Sequence, residues 1–232
     1  MERPVIVALD FATDQECLDF LAQFNTQSQP IFVKIGLQMF THYGYNFVRK
    51  IQELGHPIFL DLKLHDIPNT VEKTCEVIAD WKVQMLTIHA AGGAEMIAAA
   101  KRGLDNGNSP TKLLAVTQLT SISDTQLERD FKIPLKSEEN VANLATLAYQ
   151  NHADGVIASA LEVEALKQVT APDFLCITPG IRPVWAQKNE QKRVMTPQGA
   201  KAAGSDGIVV GRPITQSENP QEAYVKIKNE WI

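Results

Sequence analysis

Residues 58–82 read IFLDLKLHDIPNTVEKTCEVIADWK, and this stretch contains the unit from which the whole chain is built. IFLDLKL is a short apolar run of strand character, closed off by a proline at position 68. From residue 69 to 82 the apolar residues Val71, Cys75 and Ile78 recur at helical spacing, so a helix follows the strand. The strand also carries an anomaly. Asp61 and Lys63 stand two residues apart in a run apolar enough to be buried, and Asp66 follows shortly after. Buried charge is costly unless it is paired or does chemistry.

The same strand-then-helix rhythm extends in both directions. Strands are predicted at 5–11, 31–36, 58–64, 85–90, 112–119, 155–159, 175–180 and 207–211. Helical patterns occupy 14–25, 39–53, 69–82, 94–104, 138–151, 161–169, 196–203 and 220–229. No Gly/Ser-rich or Pro-rich linker divides these eight units, so residues 1–232 are expected to form a single domain. Eight βα units in a chain of this length point to one closed (β/α)8 TIM barrel. An open doubly wound sheet is the alternative, but the first strand ends LDFATD, without the G-x-G-x-x-G turn that such sheets use. Long connections at 120–137 and 181–195 follow the fifth and seventh strands, on the face where barrels build their sites, and are candidate lids.

Composition narrows the function. A net charge of −5 offers no basic field for nucleic acid or an anionic membrane. Cys17, Cys75 and Cys176 are too scattered for a disulfide framework, and no C-x-x-C pair occurs. None of the five histidines falls at H-x-H or H-x-x-x-H spacing, so no metal centre is expected. No apolar run approaches membrane-spanning length, and the N-terminus lacks a basic region followed by a long apolar core. The expected setting is the cytoplasm.

Strand alternation places the charges. If Leu60, Leu62 and Leu64 face the helices, then Phe59, Asp61 and Lys63 face the barrel interior. Lys34, between Val33 and Ile35, points inward from the neighbouring strand, and Asp10 ends the first. Four charges from three adjacent strands thus converge on the mouth. A structural ion-pair network would explain any one pair, whereas four at C-terminal strand ends fit a site. The seventh and eighth strands run into TPGIRP and VVGRPIT. Glycine lets backbone N–H groups approach an anion and arginine grips phosphate in a fork, so Gly211 and Arg212 are phosphate candidates, with Gln191 as an added donor. Surface arginines beside turn glycines are the bland alternative.

LDLKLHDIPNT resembles the signature of the orotidine 5′-phosphate decarboxylase family. VALDF, VKIG, TIHAAGG, VTQLTS, TPGIRP, QKRVMTP and DGIVVGRPIT continue the resemblance in the family's order across nearly the whole chain. It implies a homodimer with sites at the subunit interface, converting orotidine 5′-phosphate to UMP and CO2 with no cofactor. By the same resemblance Lys63 is the proton donor, Asp61 sits beside the departing carboxylate, and Lys34 completes the array with Asp66, which serves the partner's site. Asp10 and Lys34 hold the ribose, with Thr70 reaching across the interface. Thr120, with Ser121 as the alternative, meets the pyrimidine, while Arg182, Gln191, Gly211 and Arg212 hold phosphate. Magnesium-dependent sugar-phosphate lyases share D-x-K-x-x-D, but here IPNT follows Asp66.

Overall fold

A computed structural model describes residues 3–24, 30–186 and 194–232. The chain enters through β1 (Val5–Ala8), α1 (Asp14–Leu21), β2 (Phe32–Gly36), α2 (Leu37–Glu53), β3 (Ile58–Leu64) and α3 (Pro68–Ala79). It continues through β4 (Met85–His89), a short 3-10 turn at Ala90–Gly92, α4 (Gly93–Asn106), β5 (Lys112–Val116), α5 (Asp124–Phe131) and α6 (Ser137–Gln150). The last part comprises β6 (Gly155–Ile157), α7 (Val163–Val169), β7 (Leu175–Thr178), α8 (Pro197–Ala202), β8 (Gly207–Val210), α9 (Arg212–Thr215) and α10 (Pro220–Trp231). The eight strands pair in parallel in chain order, and β8 closes on β1, giving the expected (β/α)8 barrel.

Alternation along each strand separates two apolar layers. Ile6, Ala8, Phe59, Met85, Leu114, Ile177 and Val209 fill the barrel interior. Val7, Val33, Ile35, Leu60, Leu86 and Ile88 face outward and pack under the helices, with Leu62 and Leu64 against them. Burying each of these large side chains contributes roughly 1.5–3 kcal/mol. Trp231 is fully buried and donates its indole N–H to the Arg3 carbonyl at 2.9 Å, which ties the last helix to the first strand. Cys17, Cys75 and Cys176 are all free and buried, and burial pushes each thiol up to about 12.

Two helices differ from the sequence expectation. The connection 120–137, expected as a long loop, contains α5. Its start is a capping box in which Ser123 Oγ accepts from the Gln126 N–H and Gln126 Oε1 accepts from the Ser123 N–H. At its end Lys132 turns left-handed at φ 60°. The four-residue α9 directly follows Gly211 and is too short to leave a periodic signal. β5 stops at Val116 rather than 119, and just beyond it the Thr117 amide and hydroxyl both donate to the Ile157 carbonyl, at 3.3 and 3.1 Å.

At the N-terminal ends of the strands, Asp154 accepts the Leu113 N–H at 2.9 Å and pairs with Lys112 at 3.0 Å and Lys101 at 3.2 Å. Asp206 repeats the arrangement two strands on, accepting the Cys176 N–H at 2.8 Å and pairing with Lys167 at 2.7 Å. The barrel floor is stitched by carboxylates that bridge backbone and lysine.

Candidate active site

β3, the strand with buried charge, leaves the regular ladder where its charges begin. Leu60 pairs with Leu86 and Leu64 with Ile88, so four steps of β3 span only two of β4. Inside this bulge Lys63 takes φ 52°, a left-handed conformation that costs a non-glycine residue roughly 1–3 kcal/mol. Its amide has left the strand pairing and donates instead to the Thr87 hydroxyl at 2.9 Å. That hydroxyl donates onward to Asp61 Oδ1, also at 2.9 Å.

The side chains form an alternating row. Lys63 Nζ lies 2.8 Å from both Asp61 oxygens, Lys34 Nζ is 3.6 Å from Asp61 Oδ2, and Lys34 is 3.3 Å from Asp10 Oδ1. The inner pair is shielded, with Lys34 and Asp61 side chains 11% and 12% exposed, whereas the Asp10 side chain is 63% exposed. Burial pushes the Asp61 carboxyl up, but the Lys34 and Lys63 cations and the two hydrogen bonds outweigh it and hold it below the usual carboxylate range. Gly36, at the end of β2, leaves room for this row. A Cβ there would lie 2.9 Å from Lys34 Nζ and 3.2 Å from Asp10 Oδ1.

Lys34, Asp61 and Lys63 line one wall of a cavity of about 190 Å³, with Thr120 and Pro179 across from them. Ser121 lines a separate polar pocket with Thr120 instead, so of the two alternatives it is Thr120 that faces the charged row. Beyond β7 and β8, Arg182, Arg212 and Trp185 line a second cavity of about 270 Å³. Arg182 is buried, donates from Nη1 to the Ile181 carbonyl at 2.8 Å, and leaves its Nε without a partner among the described residues. Burial first, and the facing Arg212 cation second, push its pKa down. Two cations turned toward one hollow form a receptor for an anion. Gly211 immediately precedes Arg212 and α9.

Asp66 and Thr70 behave differently. Asp66 is exposed, accepts only the Ile67 N–H at 2.7 Å, and makes no ion pair among the described residues. Thr70 is exposed on the first turn of α3, beside an Ile67 that is 66% exposed. These residues lie outside the row formed by Asp10, Lys34, Asp61 and Lys63. Gln191 lies outside the described residues. Among those described, no three of His, Cys, Asp and Glu gather as a metal cluster.

Sequence reasoning passes over Thr87 and Trp185. Thr87 is readable in MLTIHA: with Leu86 and Ile88 outward, a threonine falls on the barrel interior. Trp185 leaves no such pattern. It holds the start of the β7–α8 connection to α10, donating to Glu230 at 3.1 Å with Lys226 Nζ 4.7 Å from its ring centre.

A parallel barrel with an ionic row at its C-terminal mouth and facing arginines beyond its last strands defines the class: an α/β-barrel enzyme. A model of the Orotidine 5′-phosphate decarboxylase / HUMPS family matches residues 3–227, and the chain belongs to that family. It is similar to orotidine 5′-phosphate decarboxylase of Lactococcus lactis subsp. cremoris (strain SK11), 52% identical over 99% of this chain and 98% of the relative. The Staphylococcus saprophyticus protein of the same name is 48% identical, with each chain covered in full. Among solved structures, orotidine 5′-phosphate decarboxylase from Lactobacillus acidophilus superimposes with a TM-score of 0.88 at 44% identity, covering 99% of both chains.

Proposed function

We propose that this chain decarboxylates orotidine 5′-phosphate to UMP and CO2, the last step of de novo pyrimidine nucleotide synthesis, without a metal or organic cofactor and in the cytoplasm. The observation that carries the reading is the Asp10–Lys34–Asp61–Lys63 row facing a cavity, with an arginine-lined hollow beyond the neighbouring strands. Full-length similarity to proteins named for this activity supports it.

Loss of CO2 from C6 leaves an electron pair in the plane of the pyrimidine, where the ring π system cannot spread it. Lys63 stabilises that pair as an ammonium and then delivers its proton to C6. Asp61, ionised well into acid, holds Lys63 and lies against the substrate carboxylate, whose departure removes a like-charge contact. Asp10 and Lys34 bind the ribose hydroxyls, and Thr120 meets the pyrimidine. Arg182, Gly211 and Arg212, with Gln191, bind the phosphate, whose contacts position the distant reacting end.

Two such chains pair, and Asp66 and Thr70 complete the partner's site. Their exposure beside Ile67, and the absence of any Asp66 ion pair among the described residues, support this. Ultraviolet absorbance decides the reaction: orotidine 5′-phosphate should be consumed at an undiminished rate in EDTA. Failure to consume it, or activity that requires magnesium, rejects the reading in favour of a sugar-phosphate lyase of the same family. Mixing Asp66→Asn with Lys63→Ala should restore some activity through heterodimers, and no restoration rejects the shared site.

A further inference from the structure

The bulge in β3 solves one problem and creates another. It carries Lys63 to the mouth, but it leaves the Lys63 amide without a carbonyl partner in a conformation a lysine disfavours. One side chain repairs this. Thr87, fully buried on β4 between the ladder partners Leu86 and Ile88, places its hydroxyl between the Lys63 N–H and Asp61 Oδ1. A hydroxyl has one proton to give. Here the proton is committed to the carboxylate and a lone pair to the amide, so the oxygen is fixed from both sides.

We infer that Thr87 is a positioning residue for the reaction: its hydroxyl clamps the backbone of Lys63 and the carboxylate of Asp61 as one unit. The inference rests on the proposed role of Lys63 as proton donor and deepens it. Thr87 does not itself face the cavity that Lys34, Asp61 and Lys63 line, and it acts through them. With the hydroxyl gone, the Lys63 amide loses the acceptor that fixes its backbone and Asp61 loses one of its donors, while the cavity and the arginine pair stay as they are.

Valine replaces threonine with nearly the same shape and no hydrogen-bonding group, so Thr87→Val is the direct test. Misplacing a reacting group by about 1 Å costs about 10²-fold in rate, so kcat should fall by roughly 10- to 100-fold while KM stays within about threefold. Thr87→Ser keeps the hydroxyl and should hold kcat within about threefold of the parent. If the valine variant does not fold, serine against cysteine carries the test, because the thiol is a poor donor and acceptor of similar size. The cysteine variant should then be at least about 10-fold slower than serine in kcat. An unchanged kcat in the valine variant, or equal kcat in serine and cysteine, overturns the inference. A parent protein that does not decarboxylate at all refutes the proposed function instead, so the two failures are distinguishable.

Discussion

Asp61 at the mouth and Asp154 at the floor are made of the same parts. Each is a carboxylate with two lysines close by: Lys63 and Lys34 at 2.8 and 3.6 Å, Lys112 and Lys101 at 3.0 and 3.2 Å. Burial pushes both carboxyls up, and their partners pull both below the usual range. What separates them is the backbone. Asp154 accepts a strand amide, Leu113, and so reinforces regular structure. Asp61 is bound by a threonine hydroxyl and lies beside a lysine at φ 52°, in a strand that has slipped its register. Counting ion pairs would not distinguish them. The end of the strand they occupy, and whether the backbone is strained to present them, does.

The comparison breaks most sharply at Lys63. Lys63→Ala should lower kcat by at least about 10⁴-fold, since it removes both the proton donor and the charge that stabilises the carbanion. UMP binding by calorimetry should remain substantial, and near-normal turnover would remove Lys63 from its role. Next comes Arg212→Ala, which should reduce kcat/KM by about 10²- to 10³-fold, as truncating one member of a buried charged contact costs roughly 2–5 kcal/mol. An unchanged kcat/KM would mean that the arginine hollow does not bind phosphate.

Much of the mouth is legible in the sequence. Alternation predicts Asp61 and Lys63 inward and the leucines outward, because a regular strand has only two faces. The slip between β3 and β4 is not legible, since nothing in LDLKL distinguishes a bulged strand from a regular one. Thr87 can be placed inside the barrel, but its double hydrogen bond exists only because of that slip. α5 escapes for another reason. Its S-x-x-Q cap is present in Ser123–Gln126, yet eight residues with one buried apolar side chain, Leu127, give periodicity little to detect.

At the floor the effect should move from rate to stability. Asp154→Ala removes the acceptor of the Leu113 amide and the partner of Lys112, while Lys101 keeps Asp105 at 3.6 Å, and a hydrogen bond to a charged group contributes roughly 1.5–3 kcal/mol. Denaturant unfolding at neutral pH should show a loss of that size, with kcat unchanged. Because the folded carboxyl titrates below its ordinary value of 3.8, its contribution is present above that pH and is lost as acid protonates it. The deficit of the variant should therefore shrink as the pH is lowered, and a deficit that persisted unchanged in acid would remove charge from the explanation.

The smallest effect separates the two ends through their glycines. A Cβ on Gly155, next to Asp154, would meet the Leu175 carbonyl oxygen at 2.4 Å and Leu175 Cβ at 2.5 Å, atoms that cannot move without moving β7. Gly155→Ala should therefore cost about 1–3 kcal/mol of stability, the usual penalty for overpacking. A Cβ on Gly36 would meet only the tips of Lys34 and Asp10, and its φ of −88° suits alanine. The tips can swing aside, so the fold should tolerate Gly36→Ala with a change under about 1 kcal/mol. The ionic row would not tolerate it, because the displaced ammonium is the one that joins Asp10 to Asp61. Roughly 10-fold lower kcat/KM with an unchanged unfolding midpoint is the expected result. A variant that lost stability and kept its activity would show that the mouth, like the floor, is built for the fold.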